Sequence, residues 1–406
     1  MDPFLSQARR TYADANAGTL RWMLSRPALG GAFLNTKQQS VTLRDYGAND
    51  GHRSPAYTYG WIQGRGLESL ATHADFLAKE DPALAAALDA AAGPLYDALD
   101  ALQRHDGHAY FAYDAALNPV YSDANDVIRP QRPAGDIYSY ADIFVTKGLL
   151  AAGHHLGRAD DQARHLAALD AIVAAIDEGR FQIDERVPLS HEELQRQPDD
   201  FGPRMILLAG GGLLRRLGLG SHAAYCDRFI AHVLDRHLDP SSGLLRNVPG
   251  LDACNVGHGI EFAGFALDHL PADADPALVA TLEGVLIASF RRGFVGPGVA
   301  LAVSASTGDV LNPLCPWWSL PETIRTAALC YARTGNPETL AVWKDAHEAF
   351  FTRYWRGTPS LAYQTMTAEG PIDYVPATPD LDPGYHTGLS LLAAIEVADT
   401  LVARAA

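Results

Sequence analysis

One device recurs along the chain and constrains what it can become. An Asx residue is followed at once by proline at Asp81-Pro82, Asp275-Pro276 and Asn336-Pro337. The Asx side chain accepts from the free N–H groups at a helix start, and proline fits the first helical position. Asp160 and Ser221 are expected to cap in the same way without proline. Apolar residues of helical period follow: Leu84, Leu88, Leu95, Leu99 and Leu102 in one case, Leu166, Leu169, Ile172, Val173 and Ile176 in another. Another helical stretch ends just before each cap, as in "LESLATHADFLAKE" before Asp81 and "TIRTAALCYARTG" before Asn336. The repeating unit is therefore helix, short turn, helix.

Long connections rich in Gly, Pro and aromatics separate these units, among them "GHAYFAYDAALNPVYSD", "LAVSASTGDVLNP" and "YQTMTAEGPIDYVP". They read as loops with short hairpins. The first helix of each unit is expected to start near residue 60, 139, 201, 257, 317 or 384, a spacing of about 60 residues. A helical hairpin cannot bury its apolar seam alone, so neighbouring units must stack. One helix is spare at each end, "PFLSQARRTYADANAGTLRWMLSR" and "GYHTGLSLLAAIEVADTLVARA". Pairing them closes a ring of six inner and six outer helices. The expected fold is all-α: an (α/α)6 barrel, one domain over residues 1–406, with long loops and short hairpins roofing one face. An open solenoid is the competing arrangement.

The bulk properties exclude several functions. A net charge of -16 is unsuited to nucleic acid or an anionic membrane, which both need basic surface. No apolar stretch of spanning length and no basic-then-apolar leader is evident, so a cytoplasmic location is expected. Cys226, Cys254, Cys315 and Cys330 show neither zinc spacing nor a disulfide framework. No P-loop or G-x-G-x-x-G is present. No metal and no cofactor are expected.

In this plan every inner helix begins under the roofing loops, and helix N-termini present unpaired N–H groups and positive partial charge. Polar and aromatic residues gather at those starts. Tyr59, Trp61 and Arg65 lie at the first, Tyr138 and Asp142 at the second, and Arg204 with Met205 at the third. His258 and Glu261 share a face at the fourth, Trp317, Trp318 and Glu322 mark the fifth, and Tyr385 and His386 the sixth. Of 15 histidines, only His258 and His386 fall in such a first turn. Adjacent helical positions differ by about 100°, so at least one of Trp317 and Trp318 should line a pocket, where a flat ring suits the C–H face of a sugar.

These residues resemble the N-acylglucosamine 2-epimerase superfamily, which includes cellobiose 2-epimerases and aldose–ketose isomerases. W-x-x-x-R is matched by Trp61 and Arg65, G-H-x-x-E by Gly257, His258 and Glu261, and W-W-x-x-x-E by Trp317, Trp318 and Glu322. The aromatic-His pair is matched by Tyr385 and His386. Ile206 after Met205, where many members have His, is closer to the N-acylglucosamine epimerase branch, and Leu389 stands where many carry Arg.

The resemblance implies an isomerase without cofactor acting on an aldose or N-acyl hexosamine. His258 and His386 would exchange the C2 proton from opposite faces, and Arg65 would hold the enediolate. Glu261 would orient His258 or bind a hydroxyl. Tyr59, Trp61, Tyr138, Arg204, Trp317, Trp318, Glu322 and Tyr385 would contact the sugar. The expected partner is this small molecule, with a homodimer left open. The alternatives are a glycoside hydrolase using Glu261 with Glu322 or Asp142, and a non-catalytic sugar-binding or regulatory protein.

Overall fold

A computed structural model describes residues 2–374 and 380–405. Its helices run α1 (Pro3–Leu24), α2 (Gly60–Glu80), α3 (Pro82–Asp106), α4 (Tyr140–His155), α5 (Ala159–Asp177), the short α6 (His191–Arg196) and α7 (Gly202–Arg216). They continue as α8 (Tyr225–His237), α9 (Val256–His269), α10 (Pro276–Gly293), α11 (Ser319–Thr334), α12 (Pro337–Ala349) and α13 (Ser390–Ala405). A wider turn, Tyr385–Leu389, leads into α13. The proline-bearing caps form as expected. Asp81 accepts from Leu84 N, Asp275 from Ala277 N and Asn336 from Glu338 N.

Two caps do not form. Helix α5 begins at Ala159, so Asp160 lies inside its first turn, where a carboxylate still complements the helix dipole. Ser221 falls within the turn Gly220–Ala223, ahead of α8.

Contacts group the chain into two compact units. Unit A takes Leu20–Pro198 and the stretch ending at Tyr385; unit B takes the chain up to Thr19, the segment from Asp199, and everything from His386. In unit A, α2 packs on α3 and α4. The α2–α4 approach is too close for side chains on the shared line: a Cβ on Gly64 would lie 2.5 Å from the Phe144 carbonyl carbon. The "GHAYFAYDAALNPVYSD" loop folds into antiparallel strands, and its Ala112–Tyr113 pairs with Thr58–Tyr59 immediately before α2. That pairing fixes where α2 starts.

In unit B, α9 packs on α7, α10 and α11, and α11 packs on α12 and α13. Glycine again permits the approach, since a Cβ on Gly257 would lie 2.6 Å from the Trp318 ring. Short strands again lead into helices: Ala253–Cys254 pairs with Ala302–Ser304 before α9, and Cys315–Pro316 with Thr365–Thr367 before α11. The core of this unit includes fully buried Trp343, whose Nε1 donates to Tyr12 Oη at 2.9 Å.

The expectation of no spanning-length apolar stretch needs correction. Tyr385–Arg404 is long and apolar enough by length and composition, yet more than half of it is buried. Leu391, Leu392, Ala394, Ile395 and Ala398 lie in the core of unit B, as in the core helix of a folded domain.

Candidate functional site

Unit B brings both candidate histidines into one neighbourhood. Asn255 caps α9 by accepting from the His258 backbone N–H at 3.2 Å, which sets His258 in the first turn. Its ring stacks on Trp318 at 5.4 Å and 29° and meets the edge of Phe201 at 6.4 Å. Its Nδ1 is buried with no hydrogen-bond partner among the described residues. Burial pushes this imidazole down to about 4, against the opposing pull of Asp200. His258 is therefore uncharged near neutral pH.

His386 has the opposite surroundings. Its Nδ1 lies 3.0 Å from Glu322 Oε1 and 3.5 Å from Glu261 Oε1. Two carboxylates at one ring nitrogen place the proton on Nδ1 and fix the tautomer. Glu322 is fully buried, and its other oxygen pairs with Arg325 at 3.0 Å. Burial raises the Glu322 carboxyl, but Arg325 and His386 outweigh it, so it is held below its usual range as a carboxylate. Trp317 meets the His386 ring edge-on at 6.0 Å, and Trp318 lies 6.0 Å from the same ring. Trp318 thus touches both imidazoles and keeps partial exposure, while Trp317 is buried. Glu261 reaches His386.

Unit A surrounds Arg65 with rings. The guanidinium lies 4.0 Å from the Phe144 centroid, 4.8 Å from Trp61 and 5.3 Å from Tyr385, the geometry of cation–π attraction. Trp61 also stacks on Tyr140 at 5.7 Å and 7°. Tyr385 Oη accepts from Lys147 Nζ at 2.6 Å, and Lys147 pairs with Glu68 at 3.1 Å, all deeply buried. Glu185 accepts from the Ala141 N–H at 3.1 Å at the start of α4. Burial pushes its carboxyl up to about 8.

Three expected positions turn out otherwise. Tyr59 is a core residue: it is buried, its hydroxyl donates to the His52 carbonyl at 2.9 Å, and Lys37 Nζ lies 4.4 Å over its ring. Arg204 turns onto α8, with its guanidinium 5.6 Å over Phe229. Asp142 is committed to the α4 cap, accepting from Ser139 N and Ala109 N, each at 2.9 Å. Tyr138 is half-buried, its ring 4.6 Å from His108.

Sequence spacing alone also missed the ligand-capable groups that tertiary contact assembles. Among the described residues, Glu261, Glu322 and His386 form one such cluster, and Asp199, His232 and His237 another. Lys147, Glu68 and Arg325 were missed as well. The one signal for Lys147 was a lone cation inside the apolar run "DIFVTKGLLAAG".

The fold class is all-α, that of the (α/α)6 barrels, with short hairpins in the long loops. No family model matches the chain, and no curated protein does. Solved structures match along nearly its whole length. The cellobiose 2-epimerase of Spirochaeta thermophila is 16% identical with a TM-score of 0.72, covering 99% of both chains. A D-mannose isomerase is 12% identical with a TM-score of 0.67, covering 98% of each. The GH76 α-mannanase BT2949 of Bacteroides thetaiotaomicron is 13% identical with a TM-score of 0.56, covering 97% of each.

Proposed function

We propose that this chain is an isomerase of the N-acylglucosamine 2-epimerase superfamily, acting on an aldose or N-acyl hexosamine through C2 deprotonation. The observation that carries this reading is the division between the two imidazoles. His258 is kept uncharged by burial, His386 is anchored through Nδ1 by two carboxylates, and both touch Trp318. Environments that differ in this way assign the acid and base of a proton-transfer pair. Uncharged His258 can take a proton from carbon; His386, its Nδ1–H held by Glu322, can deliver or accept one at Nε2. The face of Trp318 would receive the C–H face of the sugar. The assignment of Arg65 to the developing oxyanion rests on its W-x-x-x-R motif.

The carboxylates that a hydrolase would use have other partners here, which favours the isomerase reading. Glu261 and Glu322 both lie beside Nδ1 of His386, and Glu322 also pairs with Arg325. Asp142 is spent on a cap. The greater similarity to the epimerase and isomerase structures than to the mannanase supports the same choice.

The test is proton NMR in D2O over a panel of aldoses, ketoses and N-acyl hexosamines. The expected result is deuterium at C2 together with an epimer or ketose product. Release of reducing sugar from a glycoside, with no C2 exchange on any substrate, would overturn the proposal.

A further inference from the structure

The C-terminal end of α8, within unit B, carries the second of these constellations. Asp199, His232 and His237 offer ligand atoms that lie within 4.8 Å of one another. His237 is 1% exposed, and its Nδ1 donates to the Arg246 carbonyl at 2.9 Å. That bond fixes the tautomer and leaves Nε2 a bare lone pair, the arrangement in which a backbone carbonyl orients a metal-binding imidazole. Nε2 of His232 and Nε2 of His237 are both buried without a hydrogen-bond partner among the described residues. Two neighbouring buried ring nitrogens that meet no partner carry a desolvation cost that a bound cation would offset.

We propose that Asp199, His232 and His237 form a binding site for a zinc-like divalent ion, with water completing a tetrahedral set. Two imidazoles and a carboxylate are the donors such an ion takes. Ligand atoms around tetrahedral zinc stand about 3.4 Å apart, so modest side-chain rotation closes the set. Burial lowers both imidazoles from their ordinary value, which keeps them in the uncharged form that can ligate. Asp199 now pairs with Arg236 at 2.8 Å, an exposed contact that the ion would replace. The site braces the segment beside His258. Phe201, two residues after Asp199, packs its ring 5.4 Å from His237 and 6.4 Å from His258. Its role is to position this segment; no step of the proposed reaction passes through it.

The experiment is titration of the chelator-stripped full chain with Co2+, read by the visible absorption of a tetrahedral site. One equivalent should bind with that spectrum. Asp199→Asn and His232→Asn, at exposed and half-buried positions, should each weaken binding by about tenfold or more. Arg236→Ala should strengthen it, by up to about fivefold, because a competing ion pair is removed. The gain in the last variant cannot come from misfolding. Binding with no tetrahedral band, or binding insensitive to all three substitutions, would overturn the proposal. So would binding abolished by Glu261→Gln instead, which would place the ion at the Glu261–Glu322–His386 cluster.

Discussion

Arg65 in unit A and His386 in unit B are both buried charge-bearing groups near the start of an inner helix, yet the chain surrounds them in opposite ways. Arg65 is faced by the rings of Trp61, Phe144 and Tyr385. His386 is faced by the carboxylates of Glu322 and Glu261. Aromatic faces attract a cation, and a guanidinium keeps its charge at every physiological pH. Carboxylates at Nδ1 fix one proton on an imidazole and so set its tautomer. One region provides a permanent charge, the other a titratable pair. The comparison teaches that burial alone does not define a chemical role; the character of the neighbouring groups does.

The first way to break this comparison is to remove the titratable pair. His258→Ala and His386→Ala should each cost about 10²- to 10⁴-fold in conversion, the scale of general acid–base catalysis, with circular dichroism unchanged. C2 deuterium exchange and product formation should be followed separately, since the variant that keeps the base for a given sugar can still exchange without inverting. Full activity in either variant would end the two-histidine reading.

Replacing the permanent charge should come next in size. Arg65→Lys keeps the charge but loses the planar fork and its stacking, so turnover should fall about 10²-fold with folding nearly intact. A lysine variant near the wild-type rate would remove Arg65 from the reaction. A smaller loss is expected at Glu322→Gln, which keeps the shape and deletes the charge beside Nδ1 of His386. About a tenfold fall in kcat is expected, with a displaced pH profile and little change in KM. An unmoved profile would mean that Glu322 only packs.

Much of this was legible in the sequence, and the reasons are local. Caps and prolines act on backbone groups a few residues away, so Asp81, Asp275 and Asn336 could be read directly. Helix starts at Gly60, Tyr140, Gly202 and Val256 fall within a residue or two of the positions that the roughly 60-residue spacing predicts. First-turn placement singled out His258, and its place one turn after Trp61 singled out Arg65, because position on a helix follows from order in the chain. What failed depended on partners distant in sequence. Glu261 meets His386, Arg204 turns to Phe229, and Tyr59 is buried under Lys37. Lys147, Glu68 and Arg325 are single charges in apolar or mixed helices, and only tertiary contact supplies their counter-charges.

The smallest effect tests the electrostatic half of the comparison without measuring catalysis. In the folded chain, burial holds His258 at about 4, below the ordinary value near 6.5. The unfolded chain therefore binds the proton first as pH falls, and stability must fall with it. The sign is fixed: this contribution is at its full value above the unfolded pKa and is lost progressively toward the folded one. Between about pH 7 and pH 5.5 the expected loss from this residue is about 1 kcal/mol. His258→Gln has nothing to titrate, so its denaturant midpoint should decline less steeply with acid than that of the wild type. His165 and His347 are also pushed down to about 4 and contribute equally to both proteins, so the difference between them isolates His258. Arg65→Lys should track the wild type over the same range, because a stacked cation gains no proton there. Parallel curves for wild type and His258→Gln would show that His258 is solvated in the folded chain, and the division between the two imidazoles would fail with it.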